Sequence, residues 1–152
     1  MTFQKMFTKT MPQRRSIRTI LFDSDGEHLL FHGVETPGEV PFFTTFGGGV
    51  EADESPLVTL ERELHEELDA TASIGPEVWG LPAHRYFLAR VTHLGENPFT
   101  YGPEYASATQ RFWVERVTFE EALSPEFNLQ PQVLQDLLRY YEPMIRTELA
   151  KL

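Results

Sequence analysis

The spacing of apolar positions changes several times along the chain, and each change marks an element. Over residues 16–22, Ile17, Ile20 and Leu21 sit among polar neighbours in a pattern that predicts a strand. Asp23-Ser24-Asp25-Gly26 is turn chemistry, with Gly26 able to take a positive φ, and residues 28–32 then predict the returning strand of a hairpin. Residues 33–41 hold Gly33, Pro37, Gly38 and Pro41 and are expected to form a loop. The aromatic and β-branched run 42–46 predicts another strand, which leads straight into Gly47-Gly48-Gly49.

Helical spacing begins near Pro56. Ser55 suits the N-cap and Pro56 the first helical position, while Leu57, Leu60, Leu64 and Leu68 recur at intervals expected to face a core. Residues 85–91 and 110–117 predict strands, separated by a long loop that includes Gly95, Pro98, Phe99, Tyr101 and Gly102. A short capped helix is expected over 118–123. From Pro131 onward, Val133, Leu134, Leu137, Leu138 and Tyr141 outline a second amphipathic helix. Such irregular alternation points to an α/β or α+β domain with a mixed sheet.

Bulk properties narrow the possible functions. At 152 residues the chain fits one domain with a proper core, read as residues 14–152 behind a polar, basic extension, 1–13. Neither a secretory h-region nor an apolar run near the ~18 residues of a membrane span is present. The absence of cysteine excludes disulfides, thiolate zinc sites and cysteine nucleophiles, and it fits a reducing cytoplasm. A net charge of -10 argues against non-specific nucleic-acid binding. Lys5, Lys9, Arg14, Arg15 and Arg18 make the start locally basic, which is expected of a solvated tail.

The chemistry concentrates between Gly48 and Ala70. At roughly 100° per residue, Glu63, Glu66 and Glu67 fall on one side of the helix, about a third of a turn from the leucine stripe. Carboxylates at such spacings repel one another and call for a positive partner. Arg62 lies to one side, nearest Glu66 by helical geometry, and a hard divalent cation is the stronger candidate. Alone, the run Glu-Arg-Glu-Leu-His-Glu-Glu would read as a solvated face. The strand and glycine run before it, with Glu51, Asp53 and Glu54 in the loop, favour a ligand site instead.

The spacing Gly48, five residues, Glu54, seven residues, Arg62-Glu63-Leu64-His65-Glu66-Glu67 resembles the Nudix box. Residues 43–51, and 111–114 followed by 119–123, resemble that family's flanking strands and short helix, so the likeness spans roughly residues 14–140. It implies an α/β/α sandwich around a mixed sheet. It also implies that Glu63, Glu66 and Glu67 hold magnesium or manganese with the Gly47 carbonyl, and that Glu54 and Arg62 brace the loop against the helix. The implied reaction is attack of water on a phosphorus of a small nucleotide-type substrate, a nucleoside diphosphate linked to another group. Glu66 or Glu63 is the first expectation for the base and Glu104 the second, with Arg85 and Arg111 as candidate phosphate contacts. A homodimer is left open.

Departures from the pattern are specific. Asp69 replaces the glycine that ends the helix, and Asp tolerates the left-handed geometry required there. Phe46 stands where a proline is common, and Gln110 stands where many members carry a further glutamate. A regulatory nucleotide-binding module on the same fold is the alternative, although none of the box glutamates is missing. The related isomerase chemistry relies on a cysteine that this chain lacks, and an unrelated acidic domain would show no magnesium dependence.

Overall fold

The computed structural model describes residues 15–101 and 109–152. The extension at 1–13 and Glu104 therefore lie outside the described residues. Among those described, seven strands form one mixed sheet: β1 (Ser16–Phe22), β2 (His28–Glu35), β3 (Phe42–Thr44), β4 (Gly47–Gly48), β5 (Ala70–Gly80), β6 (His84–Leu94) and β7 (Arg111–Thr118). Three helices accompany them: α1 (Pro56–Leu68), α2 (Phe119–Ala122) and α3 (Val133–Leu149).

The sheet is built around a splayed hairpin. β1 and β2 pair at Phe22 and Leu29, beside the turn, and then separate. β3 pairs with the far half of β2 through His32–Val34, and β4 pairs with the start of β1 through Ile17 and Arg18. Because β7 runs along β2 from His28 to Glu35, β3 and β1 must share the other edge of β2. The segment 42–48 is thus a wedge between the first two strands. On its other side β1 is parallel to β6, which pairs antiparallel with β5.

Strand alternation sorts side chains onto two faces. Ile20, Phe22, Leu29, Phe31, Tyr86 and Leu88 point to one, where Phe119, Ala122, Leu134, Leu138, Ile145 and Leu149 of α2 and α3 cover them. Leu21, Leu30, Ala89 and Val91 point to the other and meet Leu64 and Leu68 of α1, with Phe46 beneath. The result is the expected α/β/α sandwich. In α1, Ser55 caps the start by accepting from Val58 N–H at 3.2 Å. Thr118 and Glu121 form a capping box on α2.

Several sequence expectations need correction. β2 continues through Gly33 to Glu35, because β7 pairs it over its whole length and Gly33 leaves room for the Trp113 ring. Gly47 and Gly48 form a short strand rather than open loop. β5 has no clear period-2 signal: register shifts near Thr71, Ile74 and Glu77 interrupt it, and Gly75 and Pro76 lie within it. Leu57, expected to face a core, and Val133, on the apolar stripe of α3, are exposed because each sits in the first turn of its helix.

Candidate active site

The glycine run and α1 meet where the wedge joins β1. Gly47 has φ +144°, and a Cβ there would collide with the Ile17 carbonyl oxygen, so only glycine allows β4 to approach β1 this closely. A Cβ on Gly48 would strike the Glu63 carboxylate. These glycines bring the backbone against the acidic side of α1. Gly47 N–H donates to Oε1 of Glu67 at 2.9 Å.

Arg62 organises the carboxylates. Its Nε donates to Glu54 Oε2 at 2.7 Å and its Nη2 to Glu54 Oε1 at 3.0 Å, a two-point fork. Nη2 also donates to the Gly49 carbonyl at 2.9 Å, which ties the glycine loop to the helix. Glu54 accepts further bonds from Glu51 N–H and from Thr59 Oγ1. The hydrogen bond from Arg62 is the main reason its carboxyl is held down at about 2, with the Glu51 backbone bond next. The sequence placed Arg62 nearest Glu66. Instead Nη1 is 2.9 Å from Glu63 Oε1 and 3.4 Å from Glu66 Oε2, because the fork to Glu54 draws the guanidinium toward the loop.

Glu63 and Glu67 are buried, with exposures of 8% and 4%, whereas the Glu66 side chain is 24% exposed. Behind Glu67 stands His32 of β2, with Nδ1 3.5 Å from Oε2. Sequence reading did not single out His32. The available signal was an ionisable residue two positions after Leu30, on a face that alternation assigns to the interior. Its ring stacks on Phe46 and on Phe99, at 5.3 Å and 4.9 Å between centroids, and Phe112 leans against it. Burial, with the Arg18 charge second, pushes its pKa down to about 4.

The exit of α1 keeps the expected shape: Asp69 adopts φ 53°, ψ 40°, and its N–H reaches the carbonyls of Leu64 and His65. The chain after β6 returns to this exit. Gly95 N–H donates to the Asp69 carbonyl, Phe99 N–H donates to the Glu67 carbonyl, and the Tyr101 ring stacks on His65.

The remaining candidates have other contacts. Arg85 is forked onto Glu77 at 2.9 Å and 3.1 Å. Arg111 lies over the Trp113 ring at 4.6 Å and 3.5 Å from Glu35. Gln110 donates to Thr36 Oγ1.

The donor set suits a hard cation. Carboxylate oxygens from successive helical turns, two of them buried, face a loop that glycines hold close. Among the described residues no three histidine or acidic side chains converge as a ready-made metal site. The fit is therefore one of donor chemistry and placement, with Arg62 supplying a positive charge 2.9 Å from Glu63.

The family model described as NUDIX domain matches residues 12–137 of the chain. The solution structure of the E. coli ORF135 protein matches with a TM-score of 0.59 at 21% identity, covering 90% of this chain and 95% of that one. A NUDIX hydrolase from Nitrosomonas europaea gives 0.59 at 14% identity, covering 91% and 95%. A MutT protein from Methanosarcina mazei Go1 gives 0.56 at 17% identity, covering 89% and 96%. At these identities the structural likeness establishes a common fold. No curated protein matches the chain.

Proposed function

The chain belongs to the Nudix family and is a Nudix-type pyrophosphohydrolase; we propose that it cleaves a nucleoside diphosphate linked to a second moiety, with magnesium as its cofactor. One observation carries this reading: the carboxylates of Glu63 and Glu67 are buried directly behind the glycine strand, on the face they share with Glu66. Burying charge is costly unless something positive compensates it, and the Arg62 guanidinium divides its charge among Glu51, Glu54, Glu63 and Glu66, each within 3.6 Å.

Glu63, Glu66 and Glu67 would hold the metal, with the Gly47 carbonyl as a further oxygen donor. When bound there, magnesium or manganese would supply positive charge against the phosphate and lower the pKa of a water. The protein groups supply the rest. Glu66, the most exposed of the three, takes the proton from the attacking water, and Glu63 is the second choice. Glu104 remains the third, on sequence grounds. The fork between Arg62 and Glu54 keeps the loop and α1 in register. Arg111 is the better candidate for a substrate phosphate, since its side chain is 69% exposed whereas the Arg85 guanidinium is committed to Glu77. Activity on a small soluble nucleotide in the cytoplasm completes the reading.

A panel of nucleoside diphosphate derivatives, assayed with magnesium and with chelator, tests this. Release of phosphate or nucleotide that requires the metal and is lost in Glu66→Gln and Glu67→Gln is the expected result. Turnover indifferent to chelator and to both substitutions refutes it. Gln110 and Asp69, the two departures from the family pattern, support a second reading, a nucleotide-binding regulatory module; binding without turnover across the panel would select it.

A further inference from the structure

His32 is placed oddly for a core residue. It lies on β2 between Thr44 of β3 and Val114 of β7, and it is 8% exposed. Its Nε2 is buried without a hydrogen-bond partner among the described residues. Phe46, Phe99 and Phe112 surround the ring, and none offers a polar group to that nitrogen. A buried acceptor left unmade costs free energy, and a phenylalanine would fill the same box without that cost. Packing alone therefore does not account for an imidazole here.

The other nitrogen supplies the reason. Nδ1 faces Oε2 of Glu67 at 3.5 Å, while Oε1 of the same carboxylate accepts from Gly47 N–H at 2.9 Å. Glu67 is thus bracketed between β4 and β2, with a partner facing each oxygen. The stacked rings hold the imidazole plane, and with it the direction in which Nδ1 points. A partner behind a carboxylate fixes its rotamer and sets which lone pairs remain for a ligand.

We propose that His32 is a positioning residue for Glu67: its Nδ1–H holds Oε2, and the aromatic box of Phe46, Phe99 and Phe112 holds His32. The proposal rests on the reading of Glu67 as a metal ligand. It assigns the unsatisfied Nε2 as the consequence of committing the single N–H of a neutral ring to Nδ1.

The test is manganese binding to the full-length protein without substrate, followed by electron paramagnetic resonance, with melting temperature recorded in parallel. His32→Phe should fold with a melting temperature equal to or above wild type yet bind Mn2+ at least tenfold more weakly, the scale seen when a group behind a metal ligand is removed. His32→Asn places an amide N–H where Nδ1 stands and should recover most of the affinity. His32→Gln places it where Nε2 stands and should not. Affinity in folded His32→Phe within twofold of wild type overturns the proposal, as does equal behaviour of the Asn and Gln variants. Glu67→Gln in the same titration separates the two layers. If it loses Mn2+ while His32→Phe does not, the metal reading stands and only the role of His32 falls. If wild type binds no Mn2+, both fall together. A destabilised His32→Phe leaves the decision to the Asn and Gln pair.

Discussion

The two faces of the sheet share every backbone hydrogen bond and differ in almost everything else. The face under α2 and α3 is large and apolar, with Phe22, Phe31, Trp79, Tyr86 and the leucines of α3 packed together. The face under α1 has a smaller core of leucines, alanines and a valine around Phe46. Buried polar groups gather on its side: Thr59, Glu63 and Glu67 on α1, and His32 opposite. One face supplies burial, which is non-directional and tolerant of composition. The other supplies placed charge, which is costly to bury and depends on geometry. Stability and chemistry are thereby separated by the thickness of one sheet.

Substitutions can test that separation. The largest effect is expected from Glu66→Gln, which should lower kcat by roughly 10²–10⁴-fold while leaving the melting temperature near wild type. A large stability change would show the division to be false. Leu138→Ala, fully buried on the opposite face, should cost about 2–5 kcal/mol in urea unfolding yet retain kcat wherever the protein remains folded. Arg62→Lys retains the charge but loses the fork to Glu54, and should destabilise by about 1.5 kcal/mol with a fall in activity.

Extremes of pH should challenge the two faces separately. The Glu54 carboxyl lies at about 2 against an ordinary 4.5, so its contribution is complete above 4.5 and disappears as pH falls through 2. Glu54→Gln should flatten acid unfolding in that window. Burial raises the Tyr86 phenol to about 12 from 10.0, so its contribution is complete below 10 and disappears as pH rises through 12. Tyr86→Phe should flatten the alkaline limb alone, as read by thermal scans across pH. Smallest is Ser55→Ala, which removes the cap of α1 and should cost about 1 kcal/mol.

How much of this was legible in the sequence follows the same divide. The box spacing located Glu54, Arg62, Glu63, Glu66 and Glu67 because helical geometry fixes their relative placement from numbers alone. Asp69 could be assigned its left-handed exit for the same local reason. What escaped depends on contacts distant in sequence. β5 is held by pairing with β6 across register shifts, so its residues carry no clean alternation of their own. Gly47 and Gly48 become a strand only because β1 has an open edge to receive them. His32 acquires its meaning from Glu67, thirty-five positions later, and from Phe99 beyond that. The reach of Arg62 followed the loop rather than the helix, and helical spacing alone could not reveal that.

The wedge between β1 and β2 has a consequence for how this chain can change length. β3 is registered to β2 and β4 to β1, with Thr45 and Phe46 the whole of the span between them. An insertion or deletion of one residue there would turn Phe46 out of its core and carry Gly47 away from Glu67, since side-chain direction along extended chain alternates at every step. The stretch between β2 and β3, by contrast, crosses the surface through Pro37, Gly38 and Glu39, where added residues disturb no register. Related sequences that have gained or lost residues should therefore show their length differences on one side of Phe42 and a fixed count from there to Glu67.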